Sequence, residues 1–585
     1  KISTTVGDMI LSTVTTVNGS NKANLALISK GSITDLDGSS LISGDGLLMD
    51  AQGTTANHVG IGSATNVLNT SVNTLAATST AGDVQVTDAS DLTLGTVSVV
   101  TGLTGATTTL TGEDLTLTGN GHVVLEANAG NLTLTAGTGE VHATGTGNVR
   151  LEAVAGAIAV HAVIDAGLGA ASLLTGGAQT FDAAGDVLAA SGVDVQANGA
   201  VTMDAGTVMA TDAGAIRLTS SASIVVGLLD ARSALDRSAS SVAHQSVWGL
   251  VGVNSQSGSV TQAATLAGNA VYGSGARVEA ATGVGTSTQA LTTEVIRLAA
   301  KTTSGGVYVT EASGLTLDTV SALTAKRVSL SGQASDDTVA GVLSGVTASA
   351  GAVVVQTTTG SLTVSQAVNA TAGGNVLLSA SGDLTVNALV SSGSTTGVVS
   401  LLSGGAQSYG AAGDVSAGLG IDAQAGTVSA STLTMDAGTA FVTQGGGIRV
   451  SSTGAVALGL LDARKTADRT GSTTTDQSNW GNVSVIANGA ISDVAATTAV
   501  DVYANVLRIS ASTAGGTVGA ADALDVEAST LSLSAGGVVK LVEASALTLN
   551  NVSTTYRRVG TDGVLLAAAT DAALGQGLLS GGALT

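Results

Sequence analysis

The chain lacks proline and cysteine altogether, and among its 585 residues there are only two Trp, two Phe and five Tyr. Each shortage excludes something. Ordinary usage of about 5% Pro would place roughly 29 prolines in a chain of this length. Proline has no N–H to give to a backbone ladder, so its complete absence points to ladders running from end to end. Strings of immunoglobulin-like modules, which carry Pro in linkers and turns, rank second on that ground. Without Cys there are no disulfides, no thiolate catalysis and no Cys-ligated zinc. With so few rings, a broad core built on aromatic area is disfavoured. Basic residues are scarce too: 20 Lys and Arg against 42 Asp and Glu give a net charge of −22 and a pI near 4.3. That balance argues against binding nucleic acid, whose phosphates need cations, and against electrostatic docking on anionic lipid. No run of 18 apolar residues exists to span a membrane. No signal peptide is visible and the sequence starts at Lys1 without Met, which suggests a processed product or a fragment.

What is present is 44% hydrophobic and only 11% charged, too apolar for a disordered chain. The apolar residues are Val, Leu, Ile and Ala, which suit a narrow core. They alternate with polar neighbours: Val84, Val86, Leu92 and Leu94, then Leu115 and Leu117, Leu132 and Leu134, Val149 and Leu151, Leu384 and Val386, Leu531 and Leu533. A period of two means one buried face and one wet face. Gly-Asn, Gly-Asp, Ala-Gly or Gly-Gly bounds each run and supplies the corners.

A larger repeat lies over this one. VTMDAG at 201–206 returns as LTMDAG at 433–438, GLLDAR at 227–232 returns at 459–464, Trp248 as Trp480, and TEASGLTL at 310–317 as VEASALTL at 542–549. These share an offset of 232, while LLTGGAQTFDAAGDV at 173–187 matches LLSGGAQSYGAAGDV at 401–415 with an offset of 228, so four residues are inserted between the two sets of markers. TDASDLTL at 87–94 is an earlier, diverged copy. The expected division is a diverged N-terminal part at 1–80, a first copy at 81–312, a second at 313–544 and the start of a third at 545–585.

The expected fold is all-β, a right-handed parallel β-helix solenoid with duplicated loop excursions. At about 20–24 residues and ~4.8 Å per coil it would be on the order of 120–140 Å long. Neither end shows a distinct cap, as expected of a slice of a longer array or of a subunit that stacks on its own kind. Motifs such as GNLTLTAG, GDLTVN and GNVRLEA, spread over nearly the whole chain, resemble the repeat region of filamentous-haemagglutinin-type adhesins. The resemblance implies a β-helical shaft of a large bacterial exoprotein, located extracellularly or at the outer-membrane-associated cell surface. It carries no catalytic residue to transfer, and neither a two-partner secretion domain nor a translocator barrel is recognisable here.

Residues arranged for chemistry are few. The histidines are His58, His122, His142, His161 and His244; His142 and His161 lie in neighbouring strand–turn units, and a metal would further need Glu126, Glu140 or Glu152. They read better as solvent-facing positions. Asp35 and Asp37 are the nearest approach to a calcium loop and read better as turn residues. Asp165, Asp182, Asp186 and Asp194 would be the acids of a polysaccharide-cleaving β-helix, but Gly410 replaces Asp182 in the second copy. Ice binding through Thr-x-Thr is a minor option. The most unusual segments are 227–249, with Asp230, Arg232, Asp236, Arg237 and Trp248, and 459–481, with Asp462, Arg464, Asp468, Arg469 and Trp480. They read as lateral excursions from a corner, serving either as contact loops for a partner or as local clasps. The expectation is a structural adhesin shaft with no cofactor and no enzymatic activity, attached to an unspecified receptor or glycan. The alternative is a self-assembling extracellular fibre, sheath or surface-layer subunit.

Overall fold

A computed structural model of the chain describes residues 1–18, 21–39, 41–54, 59–101, 107–239, 241–339, 341–393, 395–427, 430–470, 476–494 and 499–585. It is an all-β parallel β-solenoid of about 21 turns, with 3% of residues helical. Two compact units are formed, Lys1–Arg277 with Ser321–Gly341, and Val278–Val320 with Val342–Thr585.

Each regular coil holds one longer strand and two shorter ones. In the first unit a coil runs through Ala170–Thr175, Gln179–Phe181 and Val187–Leu188, and the next through Gly192–Ala197, Val201–Met203 and Val208–Ala210. Every strand pairs in parallel with its counterpart one coil on: Leu151 lies against Leu173, Leu173 against Val195, and Val195 against Leu218. The second unit repeats the plan, with Leu378, Leu401, Ala423 and Val450 stacked in register. The alternating apolar residues read from the sequence point inward. Leu115, Leu117, Leu132 and Leu134 are all fully buried. Each such side chain contributes about 1.5–3 kcal/mol. Corners are closed by hydroxyls that reach back one coil. Ser220 Oγ donates to Gly199 O at 2.6 Å, and Ser255 Oγ to Ala222 O at 2.6 Å.

The long strands depart from the simple alternation. Their outward positions are not uniformly wet. In the first unit Arg150, Ser172, Asp194, Arg217 and Gly252 form one outward row, each paired with the next. In the second unit the row is Val354, Leu377, Ser400, Asp422, Arg449, Ser484 and Arg508. All of the charged and hydroxyl members of both rows are buried, as are Val354 and Leu377. Antiparallel hairpins that leave the coil cover them. Leu323–Val328 pairs with Ala334–Val339 over the first row, and Thr554–Tyr556 with Ala569–Asp571 over the second. A third hairpin, Val97–Thr101 with Thr108–Gly112, lies on Ala26, Leu48 and Ala76 through Val97, Val99 and Leu110. The approach is close: a Cβ on Gly252 would come within 2.5 Å of the Leu323 side chain.

Candidate functional site

The duplicated excursions begin later than the sequence suggests. Leu228–Asp230 and Leu460–Asp462 are ordinary solenoid strands, with Leu229 and Leu461 fully buried. The chain leaves the coil only beyond these strands, as a one-turn helix, Ala234–Ser238 or Thr466–Thr470, and a 3-10 turn, Gln245–Val247 or Gln477–Asn479. Ser233 caps the first helix by accepting the Asp236 N–H.

The named residues of each excursion engage one another. Arg232 Nη2 lies 2.6 Å from Asp230 and its guanidinium sits 4.0 Å from the Tyr272 ring centre. Arg464 repeats this with Asp462 at 2.8 Å and Tyr503 at 3.4 Å. Arg237 Nη2 donates to Thr211 O at 2.8 Å, and Arg469 Nη1 to Thr443 O at 2.9 Å, tying each loop to the preceding coil. Buried Trp248 donates its indole N–H to Asp236 at 2.6 Å, and Trp480 to Asp468 at 3.0 Å. His244 Nδ1 also meets Asp236, at 2.8 Å; these two bonds hold the Asp236 carboxyl below its ordinary range. The groups that looked available for a partner are thus drawn into a local cluster in both copies.

The hairpins are latched by charge. Asp194, fully enclosed, accepts from Arg217 Nε at 2.7 Å and from Arg327 Nε at 2.9 Å. Arg217 Nη2 also reaches Asp337 on the hairpin at 2.8 Å. In the second unit Asp422 accepts from Arg449 at 3.1 Å and Arg558 at 2.6 Å, and Arg449 meets Asp571 at 3.2 Å. Ser172 Oγ accepts the Val328 N–H at 2.8 Å, and Ser400 Oγ the Val559 N–H at 2.9 Å. His122, read from the sequence as solvent-facing, instead braces the hairpin turn: its Nε2 lies 3.0 Å from Gln333 Nε2 and its Nδ1 accepts the Asn148 N–H.

The TDAS, TEAS and VEAS strings are corner fittings. Asp88 accepts Thr70 Oγ1 and the Val72 N–H; Glu311 accepts Thr293 Oγ1 and the Val295 N–H; Glu543 accepts the Ala528 N–H. Burial pushes the Glu311 carboxyl up to about 8, and raises that of Glu543 as well.

The remaining candidates do not converge. Asp165 and Asp186 accept the N–H groups of Gly167 and Val208, Asp182 pairs with His161 at 2.8 Å, and Asp194 belongs to the latch. His142 pairs with Glu140 at 2.8 Å. Asp35 and Asp37 accept the N–H groups of Asp37 and Ser39, as turn residues do. His58 lies outside the described residues. Sequence reasoning missed one acidic group, Asp493, Asp501 and Asp525, found in the second copy alone. There burial, and then Asp493 and Asp525, drive Asp501 up to about 7. Gln262 and Ala270 occupy the places of Asp493 and Asp501 in the first copy, by their strand register and ladder bonds. Among the described residues no group of three His, Cys, Asp or Glu is placed to hold a metal ion, and no helix is long and apolar enough to cross a membrane.

Among the described residues three open grooves stand out. Two occupy matching places on the coils: about 330 Å³ along Thr175, Gln196 and Thr219, and about 350 Å³ along Ser403, Gln424 and Arg558. The third, about 460 Å³, lies in the second unit between Trp480 and Tyr556. No family model, curated protein or solved structure matches the chain. The signal that could have revealed the latches is the pairing of Asp194 with Arg217 and of Asp422 with Arg449, one coil apart in both copies.

Proposed function

We propose that the chain is a shaft segment of a secreted or cell-surface bacterial adhesin, a stiff spacer that performs no catalysis. One observation carries this reading: what the duplication keeps is mechanical. Both copies retain the Asp–Arg latch, the hairpin it holds, the Asp–Arg–Tyr clasp and the Trp–Asp bond. The acidic trio, the feature closest to a catalytic cluster, is left to one copy and lines none of the three grooves. Parallel ladders shared by every coil suit a member that transmits force along its length. The resemblance of GNLTLTAG, GDLTVN and GNVRLEA to filamentous-haemagglutinin-type repeats supports surface display.

Single-molecule stretching of the full chain tests the mechanical part. Stepwise lengthening, coil group by coil group, is expected; smooth extension at low force would overturn it. Antibody labelling of intact cells expressing the native gene tests location. Surface staining that protease removes is expected, and staining only after lysis would overturn it.

A further inference from the structure

The groove of about 460 Å³ in the second unit has the size of a small-ligand pocket. Its floor is the glycine run Gly445–Gly447, packed closely on Leu419, Asn479 and Asn482. Its walls are Leu419, Trp480, Asn482, Asn505, Tyr556 and Arg557. Among the described residues no hydrogen bond engages the Asn482 amide, the Tyr556 hydroxyl or the Arg557 guanidinium. Asn505 spends its amide oxygen on Ser529, leaving its NH2 for the pocket.

The first copy lacks this chemistry at matching positions. Ala213 and Ala215 stand for Gly445 and Gly447, Leu250 for Asn482, Ser274 for Asn505, and Ala325 for Tyr556. Ala213 even holds the left-handed backbone, φ +59°, that Gly445 adopts at +83° without strain. Lys326 takes the place of Arg557 but is neutralised by Asp336 at 2.6 Å, whereas among the described residues no carboxylate pairs with Arg557. The scaffold is duplicated; the polar, uncompensated pocket is not.

The donor set indicates the ligand. Side-chain amides and a phenol offer donors and acceptors together, as a ring of hydroxyls requires. Leu419 and Trp480 give a small apolar wall for a C–H face. An unpaired guanidinium is matched by a carboxylate. We propose that this pocket binds an acidic sugar, a hydroxylated ring bearing one carboxylate. This stands independently of the spacer reading, which would survive its failure.

The test is saturation-transfer NMR on the full chain, with D-glucuronate, D-glucose and acetate as probes, followed by titration. Glucuronate is expected to bind with a Kd on the order of 1 mM, and glucose and acetate at least about tenfold more weakly. Arg557→Gln and Asn482→Leu, the latter installing the first-copy residue, should each weaken glucuronate about tenfold. Lys326→Gln should leave it unchanged. Both pocket variants replace side chains without internal hydrogen bonds, and unchanged circular dichroism and melting would show that they remain folded. No transfer from glucuronate at tens of millimolar overturns the proposal, as does an equal loss in Lys326→Gln. Acetate binding as tightly as glucuronate, with Asn482→Leu without effect, overturns it too.

Discussion

Asp194 and Asp422, both fully buried, each pair with one buried and one half-buried arginine, yet the two latches are finished differently. In the first, Asp337 is 38% exposed and one terminal nitrogen of Arg327, Nη2, is buried without a partner. In the second, Asp571 is only 9% exposed and the Tyr556 ring lies 4.4 Å from the Arg449 guanidinium and 5.8 Å from that of Arg558. Duplication has fixed the charges, and local packing decides how far water reaches them. Since losing one partner of a buried pair leaves an uncompensated charge that water cannot reach, the drier latch is the more brittle.

The largest effect should come from removing the shared carboxylate. Asp422→Ala leaves the buried Arg449 with Asp571 alone and takes the carboxylate from half-buried Arg558, and is expected to cost about 3–5 kcal/mol. Asp194→Ala is expected to cost less, because Asp337 and water can take over. Denaturant melts of the two variants check the order, and equal losses would break the comparison.

The corner acids give a second test. Glu311 titrates near 8 in the folded chain against an ordinary value of 4.5, so between those limits the folded state binds the extra proton. Stability contributed by this group is therefore full below about 4.5 and is lost as pH rises to about 8. Glu311→Gln should flatten that slope and raise the melting temperature at alkaline pH. Glu543→Gln, less buried, should do so more weakly. Thermal melts from pH 4 to pH 9, bracketing that window, read both.

A smaller contrast lies in the core. Tyr409 donates its hydroxyl to Gln407 Oε1 at 2.6 Å; Phe181 stands in its place in the first copy, and Gln179 Oε1 is left buried and unsatisfied. Tyr409→Phe should therefore cost about 1–3 kcal/mol, and Phe181→Tyr should gain about 1. At the bottom of the scale, Lys326→Ala removes an exposed pair with Asp336 and should change stability by no more than about 1 kcal/mol.

The inward half of the fold was legible because period-two alternation is local. Leu115, Leu132, Leu384 and Leu531 announce themselves within a few residues, and the copies confirm the phase. The hairpins were not, because LTAKRV at 323–328 alternates like any solenoid strand, and pairing direction leaves no mark in a short window. For the same reason the outward rows were expected to be wet. The excursions were located correctly from Trp248, Trp480 and the Arg-rich strings, but their starts were set too early. GLLD continues the ladder, and the helix begins only after Ser233. The four-residue offset between the copies falls at one corner, after Ala197 in the first and Ala425 in the second, where the register resumes at Val201 and Leu433. The second-unit pocket escaped notice because its residues are scattered from Leu419 to Ala568.

The three covering hairpins reach backward. Residues 97–112 close over Ala26, Leu48 and Ala76; 323–339 over Ser172, Asp194 and Arg217; 554–571 over Ser400, Asp422 and Arg449. A polypeptide that emerges N-terminus first therefore has each of these platforms wound before its cover arrives. Each block can be sealed as soon as its hairpin appears, without waiting for anything downstream. The molecule is in this sense a one-way ratchet in time, each finished stretch made harder to unwind while the next is still being delivered.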